Sequence, residues 1–338
     1  MKGIFKKIIV GLLVVMVVVL AGWKLFFSGN DISTSIAERR ENLTCYHMEA
    51  TMDIEKNDET RSYYVTTDYL LKDEQNYFRV SLLNKNTNQE QIIIRNDKGV
   101  FMLTPLLNQV YTFKGEWPLN SPKPYLYHSM LNVFDDKHEI KKMEDGYLIS
   151  HKPTYENSPS WTKQDMKFSE DLKPLWINIY DENSVVVAKV VFTKVDFEPT
   201  FSDNFFDVNA NMEEARNNLS SSTMASEDDL PLYPSGADVS SVLKEETETV
   251  VEGEEVHILT YEGEKSFTII QQIVEPYEEI NYVNVSGTMV DVVGTVGFVN
   301  GYYLTYEYNG VSYNIYSTSL TVSEMVEIAS GMEVVAMK

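Results

Sequence analysis

The sequence predicts a mainly β protein of the α+β class: an N-terminal membrane helix, a curved antiparallel sheet with lid helices, and a smaller α+β domain. Three observations predict it. Apolar and polar residues alternate with a period of two through most of the chain, the connections between these runs are short and turn-rich, and a long apolar run lies at the N-terminus.

The apolar run follows Lys2, Lys6 and Lys7, and Ile8 to Trp23 contains no charge. Ile8 to Phe27 is 20 residues, about 30 Å as a helix, which matches a bilayer core if Lys24 snorkels. The basic flank stays in the cytoplasm and the body of the chain lies outside, giving a single-pass cell-membrane protein. Val19-Leu20-Ala21 also fits a cleavage site, so a removed secretory signal is the alternative. The run ends in Leu-Ala-Gly-Trp at residues 20–23, where bacterial lipoprotein signals carry Leu-Ala-Gly-Cys. An indole has no thiolate to acylate, so the segment reads as a lipoprotein-type signal without its processing chemistry.

Ile32 to Leu43 is expected as a short helix. The period then changes: Met48, Ala50, Met52 and Ile54 alternate with Glu49, Thr51, Asp53 and Glu55, which marks a strand with one buried face. Strands are expected at Arg61–Leu71, Tyr77–Leu83, Gln91–Arg95, Gly99–Thr104 and Gln109–Lys114, joined by turns at 96–99 and 105–108. Connections this short require antiparallel neighbours. Tyr125 to Phe134 breaks the pattern with the helical face Leu126, Met130, Leu131 and Phe134. Strands resume at Tyr147–His151, Gln164–Phe168, Leu175–Tyr180 and Val185–Phe197, giving about ten in a sheet wide enough to curl.

Residues 218–236 read as a linker, with three consecutive serines, an acidic triplet and two prolines. Beyond it, strands are expected at Glu255–Tyr261, Ser266–Val274, Thr288–Val292, Thr295–Val299, Tyr302–Tyr308 and Val311–Tyr316, with hairpin signals at Asn300-Gly301 and Asn309-Gly310. A helix from Val322 to Met332 closes the chain, capped by Thr321 with Glu324 three residues on. The domain scheme is therefore 1–28 anchor, 29–217 sheet domain, 218–236 linker and 237–338 small acidic domain.

The net charge is −23, and Asp203–Glu279 alone holds 19 acidic against 3 basic residues. Such a surface repels phosphates, so nucleic acid is excluded as a partner. The only cysteine is Cys45, which rules out an intrachain disulfide and suits an outward-facing protein of a Gram-positive cell. No two histidines have metal-ligand spacing, and no nucleophile elbow or phosphate loop is present, so no metal, cofactor or enzymatic activity is expected. Cys45 and His47 share a strand face; a structural cysteine outweighs a thiolate pair. Methionines are concentrated on the predicted inner face, where Met48, Met52, Met102 and Met166 lie with Tyr63, Val65, Phe78 and Val80. This composition suits either a packed core or a soft apolar cavity. In the connection Trp117–Tyr127, three prolines stiffen an extended path that Trp117 and Tyr125 pin over the sheet, and Tyr127 and His128 open the lid helix.

At Gln91–Arg95, Gly99–Pro105 and above all Trp117–Tyr127, the chain resembles the LolA-like lipoprotein-sorting proteins of Firmicutes, including sporulation and germination members. Phe205–Met212 resembles the closing motif of that group, and the likeness covers Ile32 to Met212. The C-terminal block is similar to a domain of unknown function often fused to these proteins. The resemblance implies an antiparallel half-barrel of about eleven strands, lidded by helices over an apolar cavity that takes lipoprotein acyl chains. It also implies a strand arginine that gates the cavity, for which Arg79 is the candidate. Some clostridial relatives act instead as protein cofactors of a cell-wall amidase during spore formation. The expected partners are thus a lipid, acyl group or lipoprotein, a cell-wall enzyme, and the cytoplasmic membrane. A hydrolase with a dispersed site is a third reading.

Overall fold

A computed structural model describes residues 32–333 apart from 57–58, 115–116, 118–122, 154, 156–157, 159, 220–223, 236–239 and 293–294. The expected anchor at 8–27, with Trp23, lies outside the described residues. Among those described, no helix is long and apolar enough to cross a membrane. The chain divides into two compact units, Met1–Leu43 and Thr44–Lys338. The first contributes helix α1 (Ile32–Asn42), with Arg39 and Arg40 in its last turn facing the negative end of the helix dipole.

The second unit opens with six antiparallel strands in sequence order: β1 (Cys45–Lys56), β2 (Glu59–Lys72), β3 (Gln75–Asn84), β4 (Glu90–Asn96), β5 (Gly99–Thr104) and β6 (Gln109–Phe113). Helix α2 (Tyr127–Asn132) follows, extended by a 3-10 turn at Val133–Asp135. Five more strands return: β7 (His138–Met143), β8 (Gly146–His151), β9 (Lys163–Phe168), β10 (Pro174–Tyr180) and β11 (Val186–Asp196). Strand β11 pairs antiparallel with β1, which joins the two runs into one open sheet consistent with a curved half-barrel. Gly146 opens β8 at φ 133°, and a β-carbon there would sit 2.1 Å from the Phe168 carbonyl oxygen, so only glycine fits.

Helix α3 (Val208–Asn217) begins at Asp207, whose side chain accepts from the Ala210 amide. Its Val208, Met212 and Ala215 pack on Ile92, Ile94, Phe101, Leu103 and Val110 of β4–β6, on one side of the sheet. The opposite side carries Met48, Met102 and their neighbours. The α3 side is the outer face of the sheet and the opposite side its inner face.

Within 218–236, Glu227–Asp229 forms a 3-10 turn and β12 (Tyr233–Pro234) pairs with β21 (Met332–Glu333). The remaining strands are β13 (Ser241–Val251), β14 (Glu254–Gly263), β15 (Phe267–Ile273), β16 (Asn281–Asn284), β17 (Thr288–Val292), β18 (Thr295–Asn300), β19 (Tyr303–Tyr308) and β20 (Val311–Tyr316). A second sheet runs β13-β14-β15-β20-β19-β18-β17. Asn309 and Gly310 both take positive φ, 56° and 78°, and join β19 to β20 as the hairpin signal predicts. Helix α4 (Val322–Ser330) carries the expected capping box of Thr321 and Glu324. Its Met325, Val326, Ile328 and Ala329 share one core with Leu259, Ile269, Leu304 and Ile315 of the second sheet. Strand β16 instead leaves this block and pairs in parallel with β6, adding a twelfth strand to the first sheet among the described residues.

An apolar sheet face beneath a short lid helix

The strand registers align the inner face in rows. Met102 lies beside Ile93, Ile93 beside Val80, Val80 beside Thr67, and Thr67 beside Met48. A second row runs Tyr63, Met52, Val190, Ile177 and Met166. Val65 opposes Ala50, and Phe78 opposes Tyr69. The strand residues expected to line a cavity, Met48, Met52, Tyr63, Val65, Phe78, Val80, Met102 and Met166, therefore share one face because each strand's side chains alternate. All are at most 5% exposed.

Two pieces of the chain cover this face. The first is α2 with the residues before it. Tyr127 is fully buried; its ring meets Tyr46 edge-on and its hydroxyl donates to the Leu172 carbonyl at 2.9 Å. His128 sits among Tyr46, Tyr69 and Phe78, with ring centroids 4.4 Å from Tyr69 and 5.3 Å from Phe78. Burial pushes its pKa down to about 4, so the ring is neutral at ordinary pH. Trp117 and Tyr125 are buried as well, and the Trp117 carbonyl accepts from Arg95 Nη1 at 3.0 Å. Pro118 and Pro122, expected to stiffen this extended path, lie outside the described residues.

The second cover is the C-terminal block. Gln91 Nε2 donates to Thr295 Oγ1 at 2.9 Å, Asn84 Nδ2 to the Tyr308 hydroxyl at 3.0 Å, and Gln109 Nε2 to Glu307 Oε1 at 3.0 Å. Buried Lys123 pairs with Asp291, and Phe298 packs its ring against Tyr111 and Phe113. Burial raises the Glu307 carboxyl pKa, with hydrogen bonds from Tyr111 and Gln109 opposing the rise. Sequence reasoning missed this cover, because these glutamines and asparagines read as ordinary strand and turn residues. A pocket of about 120 Å³ remains beside α2, among Ser129, Met130, Val133, His151, Tyr155 and Gln164. That is smaller than the roughly 300–1,000 Å³ of typical small-molecule sites.

Arg79 corrects an expectation. It lies on the outer face, where its Nε donates to Asn211 Oδ1 of α3 at 2.5 Å and its guanidinium approaches Asp68 Oδ2 at 3.7 Å. Strand alternation puts it opposite the apolar face, so it cannot gate that face directly. Asp68, 1% exposed, also accepts from His47 Nδ1 at 2.7 Å, and His47 Nε2 meets Glu49 Oε1 at 2.9 Å. The Asp68 hydrogen bond raises the His47 pKa above its ordinary value, partly opposed by burial. Both ring nitrogens thus face carboxylates, while Cys45 Sγ lies 3.5 Å from the Phe197 carbonyl oxygen.

The chain is 30% identical over 332 residues to sporulation protein YdcC of Bacillus subtilis (strain 168), spanning 97% of this chain and 96% of that one. The chain belongs to the YdcC family. No family profile matches it. Similar solved structures include the MucA/MucB complex of Pseudomonas aeruginosa, at TM-score 0.33 and 12% identity over 91% of this chain and 99% of that one. A putative outer-membrane lipoprotein-sorting domain from Vibrio parahaemolyticus gives TM-score 0.30 and 14% identity over 54% of this chain and 97% of that one. The complex of the Clostridioides difficile CwlD amidase with the GerS lipoprotein gives TM-score 0.22 and 12% identity over 51% of this chain and 96% of that one.

Proposed function

We propose that this member of the YdcC family is a non-enzymatic binding protein of spore formation, tethered to the membrane by residues 1–28 and facing outward. Its first sheet takes an apolar group, an acyl chain or an apolar protein segment, in place of the lid helix α2. The observation that carries this reading is the continuous apolar face covered in part by a helix of only six residues. Tyr127, Met130 and Leu131 of α2 are buried in the covered state, so an apolar ligand would replace like with like.

Titrating the full chain in detergent with a fluorescent fatty acid tests the proposal. Saturable binding that competes with unlabelled fatty acid is expected, and its absence would refute the acyl reading. The occupation of the inner face by the chain's own side chains favours a second reading, a protein cofactor of a cell-wall amidase. Co-purification of a peptidoglycan enzyme from sporulating cells, with no fatty-acid binding, would select it. For the tether, Trp23→Cys should introduce lipidation, visible as a mass increase. Finding the native chain already released at Ala21 would overturn the tethered reading.

A further inference from the structure

Strand β14 places Glu255 and His257 two residues apart, hence on one side of the strand. The turn at Glu227–Asp229 brings Glu227 over the same spot, and one carboxylate oxygen of each glutamate and one ring nitrogen of His257 lie within 4.8 Å of one another. Exposed carboxylates near one another are common and mean little alone. The histidine is the independent observation: its side chain is only 9% exposed, and its Nε2 lies 3.8 Å from Glu227 Oε2, too far for a hydrogen bond. Neither atom has a hydrogen-bond partner among the described residues. A buried imidazole nitrogen ordinarily has one. Burial, reinforced by Glu255, raises the Glu227 carboxyl pKa, and His257 opposes the rise.

We propose that Glu227, Glu255 and His257 bind a divalent transition-metal ion, zinc by the chemistry of the set. Zinc bonds of about 2.0–2.2 Å to one nitrogen and two oxygens set the donor atoms roughly 3.4 Å apart. Glu255 is exposed and Glu227 half-buried, and their flexible arms can close the remaining ångström or so around the fixed ring. An imidazole donor disfavours calcium and magnesium, which take oxygen. A fourth position stays open to water or to a donor from another molecule. The ion would fasten the 225–232 segment to the second sheet, beside the contact in which Gln271 bonds both the amide and the carbonyl of Leu232.

The test is calorimetric titration of the full chain, held in detergent and stripped with EDTA, using zinc chloride. One equivalent should bind with a dissociation constant of about a micromolar or below. Glu255→Gln and Glu227→Gln should each weaken it at least tenfold, and His257→Gln should abolish it. Asp228→Asn, which removes the same charge from the same turn, should leave it unchanged. Because His257 is buried and its variant risks misfolding, the exposed Glu255 decides. Equal zinc binding by wild type and Glu255→Gln would overturn the proposal, as would binding no tighter than the general attraction of an acidic surface. With cobalt in place of zinc, a visible absorption band that is lost in Glu255→Gln would support a tetrahedral site; octahedral cobalt would count against it.

Discussion

Replacing His128 by phenylalanine tests what holds the lid down. In the closed chain the ring is wedged among Tyr46, Tyr69 and Phe78, and its pKa falls from 6.5 to about 4. Once α2 lifts or the chain unfolds, the ring returns to its ordinary value and takes up a proton more readily. Acid therefore favours release. The closed state is unaffected above pH 6.5, weakens as pH falls from 6.5 toward 4, and weakens no further below. At about 1.4 kcal/mol per pH unit this interval is worth about 3 kcal/mol, trimmed to roughly 2–3 by the partial exposure of the ring. His47 acts in the opposite sense. Its raised pKa gives stability that is full below its unfolded pKa and is lost as pH rises through the folded one. Only the difference between wild type and His128→Phe isolates the lid histidine. In urea unfolding of the full chain in detergent between about pH 7.5 and 4, the variant should keep roughly 2–3 kcal/mol more of its neutral-pH stability than wild type. A phenyl ring preserves the aromatic packing, and the lost Tyr46–His128 contact is a long one of 3.4 Å. Parallel pH curves for the two proteins would refute the argument.

Arg79→Met should lower stability by about 3 kcal/mol in urea unfolding, because buried Asp68 loses a cation and Asn211 of α3 loses its donor. Adding Asp68→Asn should recover part of that loss, a coupling that a double-mutant cycle would read. Gly146→Ala should cost more than about 1 kcal/mol in thermal melts, through the clash with the Phe168 carbonyl and the positive φ. Thr321→Ala should cost about 1 kcal/mol in the same melts by opening the capping box of α4.

Much of the first sheet was legible because its strands bury one face. The alternation Met48–Ile54 gave β1 its orientation, and the cavity candidates fell on one side by the same rule. Strands β7 and β13 were missed for the converse reason: their residues are almost all exposed, so no apolar period marks them. Strand β16 is four residues long and pairs with β6 far away in sequence, which local patterning cannot reveal. Helix α3 did carry a signal, an Asp207 cap followed by Val208, Met212 and Ala215 at helical spacing. The role expected of Arg79 failed because an arginine's partners, Asp68 one strand away and Asn211 on a distant helix, are fixed by tertiary structure.

The pairing of Asn281–Asn284 with β6 also sets an order of events in biogenesis. Its partner Gln109 precedes Asn281 by 172 positions. As the chain is synthesised from its N-terminus, β6 waits with an unpaired edge until that late segment arrives. An unpaired edge invites pairing with the wrong chain. The interval between the two segments is therefore when this protein most needs protection, and a chain truncated before residue 281 would keep that edge open for life.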